Sequence, residues 1–365
     1  MKVCHIVSGD LWAGAEVMVY RLLSGLIKIK NLEISVILLN EGRLAVEIRK
    51  LGIHVDVVDE AKLNFFQIVK KVRSLIKDFS PNIIHSHRMK ENILAYLSVN
   101  NIERKITLIS TQHGMPEPVK IKWKIFKEIL ISKYNNYLLS KYFNKLIVVS
   151  DDIKNNITQK FVIPAGKVQV IHNGTDVITS NSRKMEREFF TIGSAGRFFP
   201  IKDYPLMVEI AREVLHHTDK VRFELAGEGP ELERIIDLIH KYKIEKYFSL
   251  KGFVDDMNSF YQGIDLYINT SFHEGLPMSI LEAMAHGVPV IAYNTGGLKE
   301  ILSDGLHGYL LEGRDPKLSA EKCLQLFKDK EMLRKMGIAS REKIIKHFSY
   351  DKMAENYYNL YSNVA

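Results

Sequence analysis

Cysteine is scarce in this chain. Only Cys4 and Cys323 occur among 365 residues, far apart in apolar patterns and with no Cys/His cluster beside them. Neither a disulfide framework nor a zinc site is supported, and reduced core cysteines in a cytosolic protein are expected. Long apolar runs are missing too: nothing approaches the ~20 consecutive apolar residues of a membrane-spanning helix. Met1–Val7 runs straight into a strand pattern, without the basic region, long apolar core or cleavage site of a secretory leader. The first strand pattern is not followed by G-x-G-x-x-G, which argues against a dinucleotide-dependent dehydrogenase.

What is present is a globular composition, 46% hydrophobic and 26% charged, at a length that suits two domains. The formal charge of +8 is unevenly placed. Residues 1–175 carry 26 Lys+Arg against 15 Asp+Glu, a balance of +11, which leaves −3 for the remainder. That asymmetry favours an anionic partner for the first half, whether a phospholipid surface, a diphosphate or a nucleic acid.

Both halves alternate strand and helix patterns, as a doubly wound parallel α/β sheet does. In the first, strand runs fall at Lys2–Ser8, Ile34–Leu39, His54–Val58, Ile83–Ser86, Thr107–Thr111 and Leu146–Ser150. In the second they fall at Phe190–Ala195, Phe223–Ala226, Phe248–Lys251, Leu266–Asn269, Val288–Ala292 and Gly308–Leu311. The polar, aperiodic stretch Gly174–Glu188 is the candidate linker. It separates an expected domain 1–178 from a second at 186–346, and two such sheets place ligands at the carboxyl ends of their strands.

Four features of the second half suit a phosphate-bearing ligand. Gly196-Arg197 closes a strand with Lys202 five residues on, a fork and a point charge fit to clamp a diphosphate; solvated surface cations are the plain alternative. Gly227-Glu228-Gly229-Pro230 turns a strand into a helix. His273-Glu274-Gly275-Leu276-Pro277 enters another helix, whose first free N–H groups form an anion site, with Glu282 in its second turn. Thr295-Gly296-Gly297 follows a buried strand and opens a further helix. Complementing a helix dipole would explain Glu274 without function, and a solvated helix face would explain Glu282.

Taken in order, ELAGEGPELERI…GFVDDMNSFYQGIDLYINTSFHEGLPMSILEAMAHGVPVIAYNTGGLKEIL resembles the donor domain of glycosyltransferase family 4, the retaining GT-B enzymes. Glu274 and Glu282 match the family's E-x7-E motif, and Gly196-Arg197 with Lys202 its GR-x4-K element. WAGAE (Trp12–Glu16), IIHSH (Ile83–His87), TQHG (Thr111–Gly114), VVSDDIKNNI and VIHNGTD follow the family as well, so the likeness spans essentially the whole chain.

The resemblance implies a GT-B fold of two Rossmann-like domains with a cleft between them, the last helix (347–365) crossing back to the first. It implies transfer of a hexose-type sugar, with retention, from a nucleoside diphosphate sugar, UDP favoured and GDP possible. Arg197 and Lys202 would neutralise the departing diphosphate. Glu274 would bind donor-sugar hydroxyls, the Gly275 and Leu276 amides the sugar or phosphates, and Glu282 the ribose. Backbone groups near Phe253 and Val254 would meet the base, Gly14 would admit the diphosphate and acceptor closely, and His113 would touch the donor sugar. Two positions depart from the family: Ala13 replaces the first of a glycine pair, and Asp203 stands where a glycine usually follows the clamp lysine. No Asp-x-Asp triplet occurs, so a metal-bridged donor site is unsupported and no cofactor or metal is expected.

Lys120–Lys145 interleaves lysines with Trp123, Phe126, Tyr134, Tyr137, Tyr142 and Phe143. On a helix such a pattern can seat a protein on anionic lipid, although a core helix with solvated lysines has the same composition. With the basic first half it points to a cytoplasmic enzyme, peripheral on the inner face of the membrane, whose acceptor is a lipid-linked or membrane-associated glycan in cell-surface polysaccharide biosynthesis. A non-hydrolysing nucleotide-sugar epimerase is the rival enzyme, disfavoured by E-x7-E with the Arg/Lys set. A basic nucleic-acid binder is the other rival, and no nucleic-acid motif supports it.

Overall fold

The computed structural model describes residues 1–100, 102–114, 122–161, 163–178 and 187–365. They form two compact units, Met1–Gly174 with Tyr350–Ala365, and Thr175–Ser349. The first divide falls at 174/175 because Thr175 belongs with the second unit: it bridges Ser349 in parallel, and its N–H donates to the Phe348 carbonyl at 2.8 Å. Most of the candidate linker, residues 179–186, lies outside the described residues.

The first unit is built on a seven-stranded parallel sheet. Its strands are β1 (Lys2–Val7), β2 (Glu33–Leu38), β3 (His54–Val57), β4 (Ile83–Ser86), β5 (Thr107–Gln112), β6 (Lys145–Val148) and β7 (Val168–Val170). They run in the order β3-β2-β1-β4-β5-β6-β7, so the winding reverses between β1 and β4. Such a reversal leaves a crevice at the strands' carboxyl ends. The central strands are buried along nearly their whole length, which is why they read as unbroken apolar runs. The helix Tyr350–Val364 returns to this unit, packs along the helix Gly14–Leu26, and buries Met353, Tyr357, Leu360 and Tyr361.

The second unit has six parallel strands: β8 (Phe190–Ala195), β9 (Val221–Ala226), β10 (Phe248–Gly252), β11 (Leu266–Asn269), β12 (Val290–Tyr293) and β13 (Gly308–Leu311). Their order β10-β9-β8-β11-β12-β13 reverses between β8 and β11, and the loops after those two strands carry most of the second half's singled-out residues. Phe198, Phe223, Ile268 and Tyr293 are among the buried residues of its core.

The fold has two elements that the pattern reading does not contain. The strand β7 is only three residues long, too short to show an alternation. The helix Lys330–His347 turns Gly337 and Ser340 inward, so its buried face carries few of the large apolar residues that mark a helix. Cys4 and Cys323 are buried free thiols, and desolvation raises both, Cys4 to about 12. Among the described residues no helix is long and apolar enough to cross a membrane.

Candidate active site

In the second unit, backbone contacts stitch the loops at the strands' carboxyl ends into one surface. Phe198 N–H donates to Glu228 O at 2.7 Å and Glu231 N–H to Phe198 O at 3.0 Å, joining the β8 and β9 loops. Phe272 N–H donates to Ile201 O at 2.9 Å and Thr270 Oγ1 to Lys202 O at 2.8 Å, joining the β8 and β11 loops. Glycine is required at the closest approaches. A Cβ on Gly227 (φ +143°) would lie 1.9 Å from Gly196 O, and one on Gly296 (φ +58°) would lie 1.9 Å from Glu274 O. Gly297 N–H then donates to that same Glu274 carbonyl at 3.0 Å, so the β12 turn fixes the backbone of Glu274.

At the centre of this surface Lys202 and Glu274 meet. Lys202 Nζ donates to Glu274 Oε1 at 2.5 Å, and that oxygen also accepts from Ser271 Oγ at 2.6 Å and Asn269 Nδ2 at 3.3 Å. Burial pushes the Glu274 carboxyl pKa up. The Lys202 charge and these three hydrogen bonds outweigh it and hold the group below its ordinary value. The result is a buried, ionised carboxylate bound to a cation: an acceptor for hydroxyl groups beside an ammonium that can meet phosphate.

The other expected site residues of this unit lie on the same set of loops or, for Glu282, in the helix that follows one of them. Arg197 is exposed directly after β8, its guanidinium 4.7 Å from the centre of the Phe199 ring. Gly275 and Leu276 are buried between Glu274 and the helix Met278–Ala285, for which Pro277 is the N-cap rather than the first helical residue. Glu282 lies in that helix and accepts from Tyr261 Oη at 2.8 Å. Phe253 is 55% exposed after β10, and its N–H donates to Glu228 Oε1 at 3.3 Å, with half-buried Val254 beside it. Asp203 takes a left-handed conformation (φ 46°, ψ 52°), the reason a glycine would suit that position. Its carboxylate is bound by Arg314, a residue with no motif to announce it.

In the first unit Gly14 is the exposed first residue of the helix Gly14–Leu26, and His113 follows β5 directly. His113 is the outer member of a buried histidine row. Its Nε2 is 3.3 Å from His87 Nδ1, and His87 Nε2 is 3.0 Å from His5 Nδ1. His85 pairs in register with His5 across β1 and β4 and bonds to Tyr361 Oη (2.6 Å) and Thr111 Oγ1 (2.7 Å). Desolvation lowers all four rings, His5 and His113 to about 3. Of these, sequence reading singled out His113, with His85 and His87 inside IIHSH; nothing set His5 apart. Beside the row, Ser8 Oγ donates to Glu91 at 2.5 Å and Arg88 pairs with the buried Glu16.

Two parallel-sheet units with cation, carboxylate and glycine turns at these loops define a GT-B glycosyltransferase, and the comparisons say the same. Residues 12–178 match the family described as Glycosyltransferase Family 4, and residues 175–343 match Glycosyl transferases group 1. The chain belongs to the family 4 glycosyltransferases. It is 24% identical, over 95% of its length and 96% of the relative's, to the Escherichia coli UDP-Gal:alpha-D-GlcNAc-diphosphoundecaprenol alpha-1,3-galactosyltransferase. It is 26% identical to the Bacillus anthracis N-acetyl-alpha-D-glucosaminyl L-malate synthase over 81% of this chain and 78% of that one. The crystal structure of Anabaena HepE in complex with UDP-glucose shares the fold at a TM-score of 0.85, with 18% identity over all of both chains.

Proposed function

We propose that this glycosyltransferase moves a hexose-type sugar, with retention, from a nucleoside diphosphate sugar to a hydroxyl of a lipid-linked or membrane-associated glycan in cell-surface polysaccharide biosynthesis. The observation that carries the reading is the Lys202–Glu274 pair, held at 2.5 Å on a surface pinned by the β8, β11 and β12 loops. Breaking a glycosidic C–O bond leaves negative charge on the diphosphate, and preorganised cations lower the barrier where that charge grows. Arg197 and Lys202 take this role. Glu274 accepts from sugar hydroxyls, Gly275 and Leu276 offer backbone N–H groups, Glu282 holds the ribose, and the Phe253–Val254 backbone meets the base. From the first unit, Gly14 admits the ligand and His113 contacts the sugar.

Retention follows from front-face departure, in which the leaving phosphate oxygen takes the acceptor's proton, so no protein nucleophile is required. The arginine and lysine supply the charge a divalent ion would otherwise bring. Among the described residues the sole cluster of three potential metal ligands is His5, His85 and His87, in the other unit. UDP is favoured as the nucleotide: the E. coli relative is named for UDP-Gal and the Anabaena structure contains UDP-glucose.

A membrane-side acceptor is supported by the helix Lys122–Lys141. Phe126, Ile129, Leu130, Tyr134 and Tyr137 are all more than 40% exposed and recur at helical spacing beside the exposed Lys127, Lys133 and Lys141. An apolar stripe with lysines beside it suits insertion at an anionic lipid surface. Lys120, Ile121 and the side chain of Trp123 lie outside the described residues.

The deciding experiment is a thermal-shift panel of UDP-, GDP-, ADP- and dTDP-sugars on the wild type and on Arg197→Ala/Lys202→Ala. A shift by one nucleotide class that the double variant loses supports the reading. No shift from any of them sinks it. Vesicle flotation with and without anionic lipid, repeated on Phe126→Ser/Leu130→Ser, tests the membrane part.

A further inference from the structure

The histidine row in the first unit is closed at one end. His5 and His87 are 0% and 1% exposed, whereas His113 is half-buried. His5 Nε2 and His113 Nδ1, the two ends of the row, are both buried and have no hydrogen-bond partner among the described residues. We propose that His5 and His87 are positioning residues that hold His113 as a neutral imidazole with its proton on Nδ1, so that it presents an N–H donor to a hydroxyl oxygen of the sugar ligand. This rests on the reading that the chain transfers a sugar which His113 contacts.

The proton order follows from counting. A neutral ring carries one proton, and each N···N contact needs one donor and one acceptor. The contacts at 3.0 and 3.3 Å therefore allow two arrangements only, with all three protons on Nε2 or all three on Nδ1. The closed end decides between them. Either order leaves one buried N–H without an acceptor among the described residues, which folded proteins tolerate less readily than an unused lone pair. At the fully enclosed His5 no ligand can supply that acceptor, whereas at the half-buried His113 a ligand oxygen can. His5 therefore donates through Nδ1 to His87, and His87 donates through Nδ1 to His113 Nε2. The proton of His113 is left on Nδ1, just past the carboxyl end of β5, the edge at which parallel sheets bind ligands.

The groups around the row keep it neutral. Burial disfavours an imidazolium, and the Arg88 guanidinium adds repulsion at His87 and His113. His85 stacks on His87 with 4.2 Å between ring centroids, and both of its nitrogens are used by Tyr361 and Thr111, which itself meets Tyr357 Oη at 3.0 Å. His5, His85 and His87 bring ring nitrogens within 4.8 Å of one another, close enough to suggest a metal. The 3.0 Å contact is already a hydrogen bond, however, and His85 has no nitrogen to spare.

The test is a long-range 1H–15N correlation of the histidine rings in the 15N-labelled full chain from about pH 6 to 8, assigned with His5→Asn, His87→Asn and His113→Asn. Expected are bare Nε2 positions in all three rings and no titration. Bare Nδ1 positions, a ring that protonates in this range, or a stoichiometric zinc ion in the purified protein overturns the proposal. In the transfer assay His87→Phe lowers kcat about tenfold or more, with a smaller change in KM, because one oriented hydrogen bond is lost. His87→Asn, whose amide can still donate to His113 Nε2, recovers most of that loss; equal losses in the two variants contradict the positioning role. A wild type that transfers no sugar would remove the transferase reading, while the ring spectra would still decide the proton order.

Discussion

Arg314 and Asp203 form an ion pair that ties the β13 side of the second unit to the Lys202 loop. Nη2 donates to Asp203 Oδ2 at 2.6 Å, and the same guanidinium donates to the carbonyls of Thr270 and, at 3.1 Å, Ser271. It also lies 4.1 Å from the centre of the Phe272 ring. Two consequences follow for the family-atypical aspartate. Its left-handed backbone costs about 1–2 kcal/mol, which the pair offsets. Its charge, one residue from Lys202, is matched by the Arg314 cation.

Arg314→Met should therefore destabilise the second unit by about 1–3 kcal/mol, since it strands a largely buried carboxylate and two carbonyls. It should also weaken nucleotide-sugar binding. Adding Asp203→Gly removes the stranded charge and the backbone strain together, and should recover most of the stability. Urea titration of the four-membered cycle measures the coupling; a double variant no more stable than Arg314→Met alone would show the pair to be incidental.

Glu274 predicts a definite acid response. Its folded-state carboxyl lies below the ordinary value, with burial opposed and overcome by Lys202, Ser271 and Asn269. A carboxylate depressed on folding contributes stability that is complete above its unfolded pKa and is lost as pH falls through the folded one. The Tm difference between wild type and Glu274→Gln should hold at neutral pH, begin to close in the ordinary carboxylate range and vanish below it. A difference unaffected by acid would mean the pair is not ionised.

The first unit should be acid-sensitive in a higher window. Buried neutral, His5 and His113 sit at about 3, so between there and the unfolded value of about 6.5 the unfolded chain binds more protons. Stability then rises with pH across that interval, by up to about 1.4 kcal/mol per pH unit for each fully unprotonated histidine. The urea midpoint should fall between pH 7 and 5, and His5→Phe should flatten the slope by about one proton. An unchanged slope would place His5 outside the cluster's titration.

Tyr261 is expected to orient Glu282. The tyrosine is 1% exposed, donates to Glu282 Oε2 at 2.8 Å and packs 5.3 Å from the His286 ring. Tyr261→Phe keeps the packing and removes the hydrogen bond, so it should weaken binding of UDP by about threefold to tenfold while changing 2′,3′-dideoxy-UDP little. Calorimetry with the two nucleotides reads this; an equal loss for both would point to general loosening instead.

Much of the frame was legible because parallel strands buried on both faces leave unbroken apolar runs, and twelve of the thirteen strands were read within a residue or two. Of the candidate site, the spacings Arg197–Lys202 and Glu274–Glu282 were legible, and the structure puts these residues on the loop after β8 and on the loop and helix after β11. Partners that act through tertiary contact left no such trace. Arg314 is 111 residues from Asp203, Tyr261 is 21 from Glu282, and His5 is 82 from His87. Their sequence neighbourhoods are ordinary for a loop, a short helix and a strand, and their role appears only once the sheet brings them together. Asp203 was noticed as a departure, but its conformation and partner were needed to show that it is accommodated.

The helix Tyr350–Val364 also has a bearing on biosynthesis. Tyr357 and Tyr361 complete hydrogen bonds to Thr111 and His85 within the first unit, yet they emerge from the ribosome after all of the second. Until some 175 further residues have been added, His85 and Thr111 lack these two tyrosine partners. The helix Tyr350–Val364 can therefore latch the earlier-made sheet only after the whole second unit has been synthesised.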